Sequence, residues 1–356
     1  MNFDWIEIKE PLLKWYEKEH RLLPWRTMKH PYNIWISEIM LQQTRVEAVK
    51  GYYARFLEAI PSVEDLATIS EEELLKLWEG LGYYNRARNL QKAAQIIMEQ
   101  YHGTFPREYS EVIALPGIGE YTAGAICSIC YDLPTPAVDG NVLRVMTRIS
   151  ESYLNIDDVK TKRLAKQELE TLYQHGDCAM LTQALMELGA MVCIPNGEPK
   201  CEECPLSTMC RAYHNHTYNE LPVRKKKKSR TIVEKTVFIL HDGDYYGIRK
   251  RPDKGLLANM WEFGHVDYKM NKNEALQYVS DEGYEPFLLE KEIPYTHIFS
   301  HVEWRMTAYY ISCRNHLPNL KWVKEEVLKN RYPAPSGRKW RCPEWRSQNL
   351  RIPVRS

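Results

Sequence analysis

The spacing of hydrophobic and polar residues divides the chain into two regions. From residue 11 to about residue 210, apolar residues recur at helical spacing in short segments separated by prolines and glycines. This pattern predicts an almost entirely helical region. The periodicity changes near residues 224–230, which form a run of arginines and lysines broken only by Ser229. We interpret this run as a solvated linker, although such runs also serve as DNA contacts or targeting signals.

Beyond the linker the pattern is typical of strands. Residues 236–240 and 245–248 are rich in β-branched and aromatic side chains and flank an Asp242-Gly243 turn, which predicts a β-hairpin. A further strand is predicted at residues 303–313, and helices at residues 272–280 and 324–329. We therefore predict a helical region at 1–223, a linker at 224–232, a mixed α/β domain at 233–330 and a basic divergent tail at 331–356.

Charge and composition restrict the possible classes without selecting one. The 48 lysines and arginines nearly cancel the 47 acids, so any binding to nucleic acid has to come from local patches. No apolar run approaches the roughly 20 residues of a membrane span, and the acidic N-terminus lacks a signal-peptide pattern. We therefore expect a cytoplasmic protein without a membrane partner. The chain has nine cysteines, and an odd number suits a reducing compartment.

The strongest chemical signal is a glycine hairpin followed by an aspartate. Gly117 and Gly119 flank Ile118 between two helical segments, which predicts a tight hairpin whose exposed N–H groups suit a phosphate. Asp139 precedes the next predicted helix, where it can act as an N-cap and hold a carboxylate near the bound strand. This combination indicates chemistry on DNA.

Four cysteines have the spacing of metal ligands. Cys193, Cys201, Cys204 and Cys210 follow a C-x7-C-x2-C-x5-C pattern, which predicts a four-thiolate site for zinc or an iron–sulfur cluster. Cys127 and Cys130 form a separate C-x-x-C within an apolar helix. They are interpreted as small core residues rather than a redox pair, because no thioredoxin-like βαβ pattern surrounds them.

Two motifs resemble a known family. The hairpin with residues 138–142 is similar to the helix-hairpin-helix DNA glycosylases, and residues 35–44 resemble the adenine DNA glycosylases, the MutY family, in particular. The resemblance covers roughly residues 5–325. It implies a multidomain protein with an all-α helix-hairpin-helix glycosylase region, an iron–sulfur cluster loop and an α/β Nudix-like C-terminal domain.

The resemblance also assigns catalytic roles. Glu38 lies in an otherwise apolar helical segment, where burial would raise its pKa and suit a general acid, although the residues alone also allow a surface glutamate. The resemblance implies that Glu38 protonates the departing adenine, that Asp139 stabilises or transiently bonds the sugar cation, and that Asn141 orients Asp139 or a water. Tyr121 stands where strand-cutting relatives carry a lysine, so we predict a monofunctional hydrolase.

Further positions are predicted to contact DNA. The resemblance implies two groups of residues. The first forms a wedge and a lesion-reading loop, and the second lies beside a pocket for the flipped adenine. The first group comprises Gln43, Thr44, Leu81 and Tyr83, and the second Arg21, Trp25, Arg26 and, more weakly, Gln183. From the residues alone, the G-x-G-Y-Y at residues 80–84 could be an ordinary helix-ending turn, and the pocket residues could be packing groups or surface cations.

The C-terminal region adds a recognition hypothesis. Residues 255–263 look like part of a Nudix domain, but the glutamate-rich helix that holds magnesium in active Nudix hydrolases is missing, so we expect binding without hydrolysis. Phe299, Ser300 and His301 resemble the loop by which the family reads 8-oxoguanine; the alternative is an ordinary strand end.

For the cysteines, the resemblance implies a [4Fe–4S] cluster that acts as a structural staple, with redox signalling as the alternative. The implied partner is double-stranded DNA that contains 8-oxoguanine:adenine or guanine:adenine mispairs, bound by a monomer that would be nucleoid-associated in a bacterium.

Two other functions are compatible with parts of the sequence. An endonuclease III-like glycosylase and lyase on oxidised pyrimidines is disfavoured by Tyr121 and by the extra domain. A non-catalytic iron–sulfur DNA-binding protein is disfavoured by the presence of both Glu38 and Asp139.

Overall fold

The computed structural model describes residues 3–225 and 229–333. These residues form two compact units, one of residues 3–69 and 85–225 and the other of residues 70–84 and 229–333.

The first unit is helical, which confirms the prediction from periodicity. Helix α5 belongs to the second unit. In chain order the helices up to residue 214 are α1 (Lys9–Glu19), α2 (Pro31–Leu41), α3 (Val46–Ala59), α4 (Val63–Thr68), α5 (Glu71–Leu77), α6 (Asn85–Tyr101), α7 (Tyr109–Ala114), α8 (Glu120–Tyr131), α9 (Gly140–Ser150), α10 (Val159–Tyr173), α11 (Cys178–Met191) and α12 (Arg211–His214).

Helix α11 forms the centre of this unit. It packs against α1, α8 and α9, and its Leu181, Leu185 and Leu188 are buried in a shared apolar core. The spacing of these leucines puts them on one helix face, so their burial fixes the orientation of α11. Helix α2, which packs against α8, is buried over residues 34–40.

The second unit contains a mixed seven-stranded sheet, with strand order β3-β2-β1-β6-β5, β4 paired with β1 and β7 paired with β2. Strands β1 and β6 run parallel, and the other pairs are antiparallel. The strands are β1 (Thr231–Asp242), β2 (Tyr245–Lys250), β3 (Trp261–Glu262), β4 (Gly264–Val266), β5 (Pro286–Ile298), β6 (Val302–Cys313) and β7 (Lys321–Lys324), and the remaining helices are α13 (Lys272–Asp281) and α14 (Glu325–Asn330).

This arrangement confirms the predicted elements of the mixed domain. Strands β1 and β2 form the expected hairpin, and Gly243 adopts φ 53 in its turn, a left-handed conformation that glycine tolerates. Alternate residues of β1 face opposite sides of the sheet. Phe238 and Leu240 lie in the core that α13 covers, whereas Val237 and Ile239 join Trp304 in a second core.

The end of the second unit is only partly described. Tyr332, within the predicted basic tail, is buried and its ring lies 4.8 Å from that of Trp261. The rest of that tail, residues 334–356, lies outside the described residues. Across residues 3–225 and 229–333, no helix is both long enough and apolar enough to cross a membrane.

Candidate active site

A cavity of about 520 Å³ opens in the helical unit, in the size range of small-molecule binding pockets. It brings together ten of the positions predicted from the sequence: Arg21, Trp25, Arg26, Glu38, Gln43, Thr44, Tyr121, Asp139, Asn141 and Gln183. These residues come from helices far apart in the chain, so their convergence is a property of the fold.

Glu38 projects into this cavity from α2. Glu38 is only 5 % exposed, and its Oε2 accepts a hydrogen bond of 2.7 Å from the Tyr121 hydroxyl on α8. Burial raises the pKa of Glu38 from its ordinary value of 4.5 to about 7; the Tyr121 hydrogen bond opposes this effect, and the nearby charge of Asp139 adds to it. Near neutral pH a large fraction of Glu38 is therefore still protonated and can act as a proton donor.

Asp139 caps helix α9, as its position in the sequence predicts. Its Oδ1 accepts from the backbone N–H groups of Asn141 at 2.8 Å and Val142 at 2.7 Å, and its Oδ2 accepts from the Asn141 side chain at 2.8 Å. Burial raises the pKa of Asp139, and these three donors act against it because they favour the ionised form. The Asn141 side chain therefore holds the Asp139 carboxylate by a hydrogen bond, and its role in the reaction stays a prediction.

A buried arginine that the sequence analysis did not select holds Asn141 in place. Arg144 donates to Asn141 Oδ1 at 3.0 Å, to the Gly189 carbonyl at 2.8 Å and to the Cys193 carbonyl at 2.8 Å. A Cβ atom at Gly189 would lie 2.9 Å from the Cβ of Asn141, so glycine is needed where α11 approaches α9. Arg144 therefore connects the Asp139 cap to the cysteine loop.

A buried glutamate on α11 was also missed. The side chain of Glu187 is 1 % exposed and accepts hydrogen bonds from Arg21 Nε at 2.7 Å and Arg26 Nη2 at 2.6 Å. Burial alone would raise the pKa of Glu187, but the bonds from the two arginines outweigh it and hold the pKa at about 2. The signal in the sequence was an acid within the apolar helix α11, the same kind of signal that identified Glu38.

Two other predicted pocket residues are firmly packed. Trp25 is 4 % exposed, and its ring lies edge-on to Tyr53 at 5.5 Å. Gln183 accepts from the Tyr16 hydroxyl at 3.1 Å and donates to the Ala179 carbonyl at 3.1 Å. Their orientation toward the cavity is therefore set by neighbouring side chains.

The glycine hairpin joins α7 to α8. Gly117 has φ 79, and a Cβ atom there would lie 2.6 Å from the Cβ of Asn89 on α6, so both its conformation and its surroundings require glycine. Gly119 is the N-cap residue of α8 and has open space beside it. The hairpin itself is confirmed, and its contact with a phosphate stays a prediction.

The predicted lesion-reading loop lies in the second unit. Gly80, Gly82 and Tyr83 have φ 102, 70 and 48, so the loop contains consecutive tight turns. Tyr83 is 49 % exposed, but Leu81 is only 6 % exposed. Leu81 is thus largely buried whereas Tyr83 is exposed, and insertion of either side chain between bases stays a prediction.

Phe299, Ser300 and His301 form the turn between β5 and β6. The Phe299 ring packs against Trp304 at 4.8 Å, and its amide donates to the Val302 carbonyl at 2.8 Å, which closes the turn. Ser300 and His301 are exposed at its tip, with Ser300 Oγ 3.2 Å from His301 Nδ1. Two polar side chains are therefore exposed at the tip of a turn that is held by the packing of Phe299.

The four predicted ligand cysteines surround one small cavity. Cys193, Cys201, Cys204 and Cys210 line a space of about 30 Å³ whose other walls are largely apolar. Arg148 Nη1 lies 3.3 Å from the Cys193 sulfur, and burial raises the pKa of Cys204 to about 12.

Within the described ranges, no group of three or more His, Cys, Asp or Glu residues is arranged to hold a metal ion. Four thiols that line one space are a donor set that suits either zinc or an iron–sulfur cluster. The neighbouring arginine suits the negative charge of a thiolate-bound cluster.

The other cysteine pair agrees with the core interpretation. Burial raises the pKa of both Cys127 and Cys130 to about 12, so neither thiol has the low pKa of a reactive cysteine.

Comparison with known proteins matches both units. Residues 36–175 match the family model described as HhH-GPD superfamily base excision DNA repair protein, and residues 236–339 match that of the NUDIX domain. Adenine DNA glycosylase of Buchnera aphidicola subsp. Baizongia pistaciae is 36 % identical, over 76 % of this chain and 76 % of its own length. The mouse protein of the same name is 33 % identical, over 92 % and 76 %, and the human protein is 31 % identical, over 88 % and 70 %.

Solved structures resemble the helical part. A thermostable thymine-DNA glycosylase aligns with a TM-score of 0.52 and 32 % identity, over 58 % of this chain and 94 % of its own. Endonuclease III in a non-covalent DNA complex aligns with a TM-score of 0.50 and 25 % identity, over 58 % and 92 %.

Proposed function

Because the chain belongs to the adenine DNA glycosylase family and is a base-excision repair glycosylase that acts on adenine, we propose that it hydrolyses the N-glycosidic bond of adenine mispaired with 8-oxoguanine or guanine. The observation that carries the mechanism is the pair of carboxyl groups in one cavity, Glu38 with a pKa of about 7 and Asp139 held by three donors. One group can donate a proton while the other carries negative charge.

In this mechanism Glu38 gives its proton to a ring nitrogen of the adenine as the glycosidic bond breaks. The bonding electron pair leaves with the base, and positive charge develops on the sugar. Asp139 stabilises that charge, and Asn141 keeps its carboxylate in position. A water then supplies the hydroxyl at the sugar carbon, which leaves an abasic site and returns a proton to the site.

The extruded adenine would occupy the cavity beside Trp25. An indole face suits a purine, and Arg21, Arg26 and Gln183 supply polar groups around it. Glu187 accepts hydrogen bonds from both arginines and fixes their positions, and we add it to this group as a residue that shapes the pocket.

Tyr121 supports simple hydrolysis. A lyase reaction needs an amine that forms a Schiff base with the sugar, and Tyr121 offers a hydroxyl bonded to Glu38 instead. Among the described residues that line the cavity, none is a lysine. The endonuclease III-like alternative therefore lacks its nucleophile at this place.

DNA would be held by several separate elements. The amides at Gly117 and Gly119 are proposed to bind backbone phosphates, while Gln43, Thr44 and Tyr83 act near the vacated base stack. The resemblance of the helical unit to a protein solved as a DNA complex supports duplex binding by this unit.

Cys193, Cys201, Cys204 and Cys210 would hold a [4Fe–4S] cluster, which membership of this glycosylase family favours over zinc for four thiols that line one space. When bound, the cluster would cross-link the loop that follows α11. Since the proposed hydrolysis involves no electron transfer, we assign the four cysteines a structural role.

Ser300 and His301 are proposed to read the oxidised base opposite the adenine. Replacing both with alanine should reduce the preference for 8-oxoguanine over guanine by about tenfold, because donors to the altered base edge are lost. Thr296→Ala, at an exposed position of β5, is the matched control and should leave the preference unchanged. The measurement is the ratio of single-turnover excision rates on the two mispairs, and an unaltered ratio in the double variant would assign recognition to other residues.

The proposed function is tested with duplexes that contain one 8-oxoguanine:adenine mispair. The protein should release free adenine and leave an intact strand with an abasic site, which breaks only after alkali or heat. Prompt strand cleavage with a borohydride-trapped protein–DNA adduct would instead establish the lyase alternative.

A further inference from the structure

The turn that follows α2 leaves backbone groups without helical partners. The chain departs from the helix at Gln42, whose ψ is 113, and Gln43 has φ 57, a left-handed conformation that is costly for a residue with a Cβ atom. Thr44 N–H donates to the Leu41 carbonyl, so the Met40 carbonyl does not receive the bond that a continued helix would supply.

An arginine on α6 donates hydrogen bonds to the backbone carbonyls at this helix end. Arg86 Nη1 lies 2.6 Å from the Ile39 carbonyl, 3.2 Å from that of Met40 and 2.7 Å from that of Gln42. A cation at the C-terminus of a helix is also favoured by the helix dipole. Because the Gln42 carbonyl belongs to the turn itself, Arg86 ties the turn to the helix.

This turn presents Gln43 to the cavity. Gln43 is exposed and lines the same space as Glu38 and Asp139. Glu38 lies further back in α2, where the surrounding residues are buried and Tyr121 holds its carboxyl group. Loss of the arginine should therefore disturb the turn more than the general acid.

We infer that Arg86 is a positioning residue for base extrusion: it fixes the Gln42–Thr44 turn so that Gln43 can occupy the stack vacated by the adenine. This inference rests on the proposed function, since it assumes that an adenine leaves the duplex. Extrusion costs unpairing and unstacking energy, and a wedge held in advance avoids the further cost of ordering it during the reaction.

Two substrates separate extrusion from chemistry. One duplex carries adenine opposite 8-oxoguanine, and the other carries adenine opposite an abasic site, where no pairing has to be broken. Arg86→Gln should slow single-turnover excision at least about tenfold on the first and less than about threefold on the second. Arg86→Lys should recover part of the lost rate on the paired substrate, because it keeps the cation but not the fork of donors.

Lys92→Gln, which removes an exposed cation from the same helix, is the control for charge and should leave both rates unchanged. Equal losses on the two substrates, or no loss in Arg86→Gln, would overturn the inference. If the wild-type protein released adenine from neither substrate, the proposed function itself would fail, which is a different result.

Discussion

Glu38→Gln is expected to slow single-turnover excision of adenine by about 10²- to 10⁴-fold, the usual contribution of a general acid. Glutamine keeps the shape of the side chain and can still accept the Tyr121 hydrogen bond, but it has no acidic proton to give. Affinity for the mispaired duplex should stay close to that of the wild type. A variant with full activity would remove Glu38 from the mechanism.

Thermal unfolding provides the control for this variant. The folded-state pKa of Glu38, about 7, is above its ordinary value of 4.5, so the folded protein keeps the proton longer than the unfolded chain does. The Glu38 carboxyl is therefore expected to contribute a loss of stability of roughly 3 kcal/mol between about pH 4.5 and pH 7, seen as the difference between the wild type and Glu38→Gln. Glu38→Gln should not show this loss, and should be at least as stable as the wild type at neutral pH.

Asp139→Asn is expected to slow excision by about 10²- to 10³-fold, because the sugar cation loses its counter-charge. Asparagine is as good an N-cap as aspartate, so helix α9 should begin at the same place. Its amide cannot accept the hydrogen bond that the Asn141 side chain donates to Oδ2, so the free energy of unfolding should fall by about 1–2 kcal/mol. Single-turnover rates and thermal unfolding, measured together, distinguish a catalytic loss from a structural one.

Asp177→Asn is a suitable comparison, since Asp177 is the half-exposed N-cap residue of α11 in the same unit. It should excise adenine at the wild-type rate. If Asp139→Asn excised adenine at the wild-type rate, Asp139 would be only a cap.

Features of the adjacent sequence explain which residues and elements could be predicted. Asp139 precedes a helix after a turn-rich segment, and Glu38 is an acid in an apolar helical run, so each could be recognised from its neighbours in the chain. The β1–β2 hairpin was likewise marked by its Asp242-Gly243 turn.

Residues whose partners are distant in sequence could not be assigned in this way. Arg86 and Arg144 each contact backbone carbonyls more than 40 positions away, and such acceptors leave no trace in the sequence pattern. Glu187 is paired with arginines 161 and 166 positions away. The burial of Leu81 also depends on tertiary packing, so the motif at residues 80–84 could not reveal it.

The pH dependence of single-turnover excision shows whether burial keeps Glu38 protonated near neutral pH. The rate should fall about tenfold per pH unit above about pH 7, and the small residual rate of Glu38→Gln should not show this decline. A wild-type rate that stays constant up to about pH 9 would contradict the account, because a proton donor with this pKa would by then be almost entirely ionised.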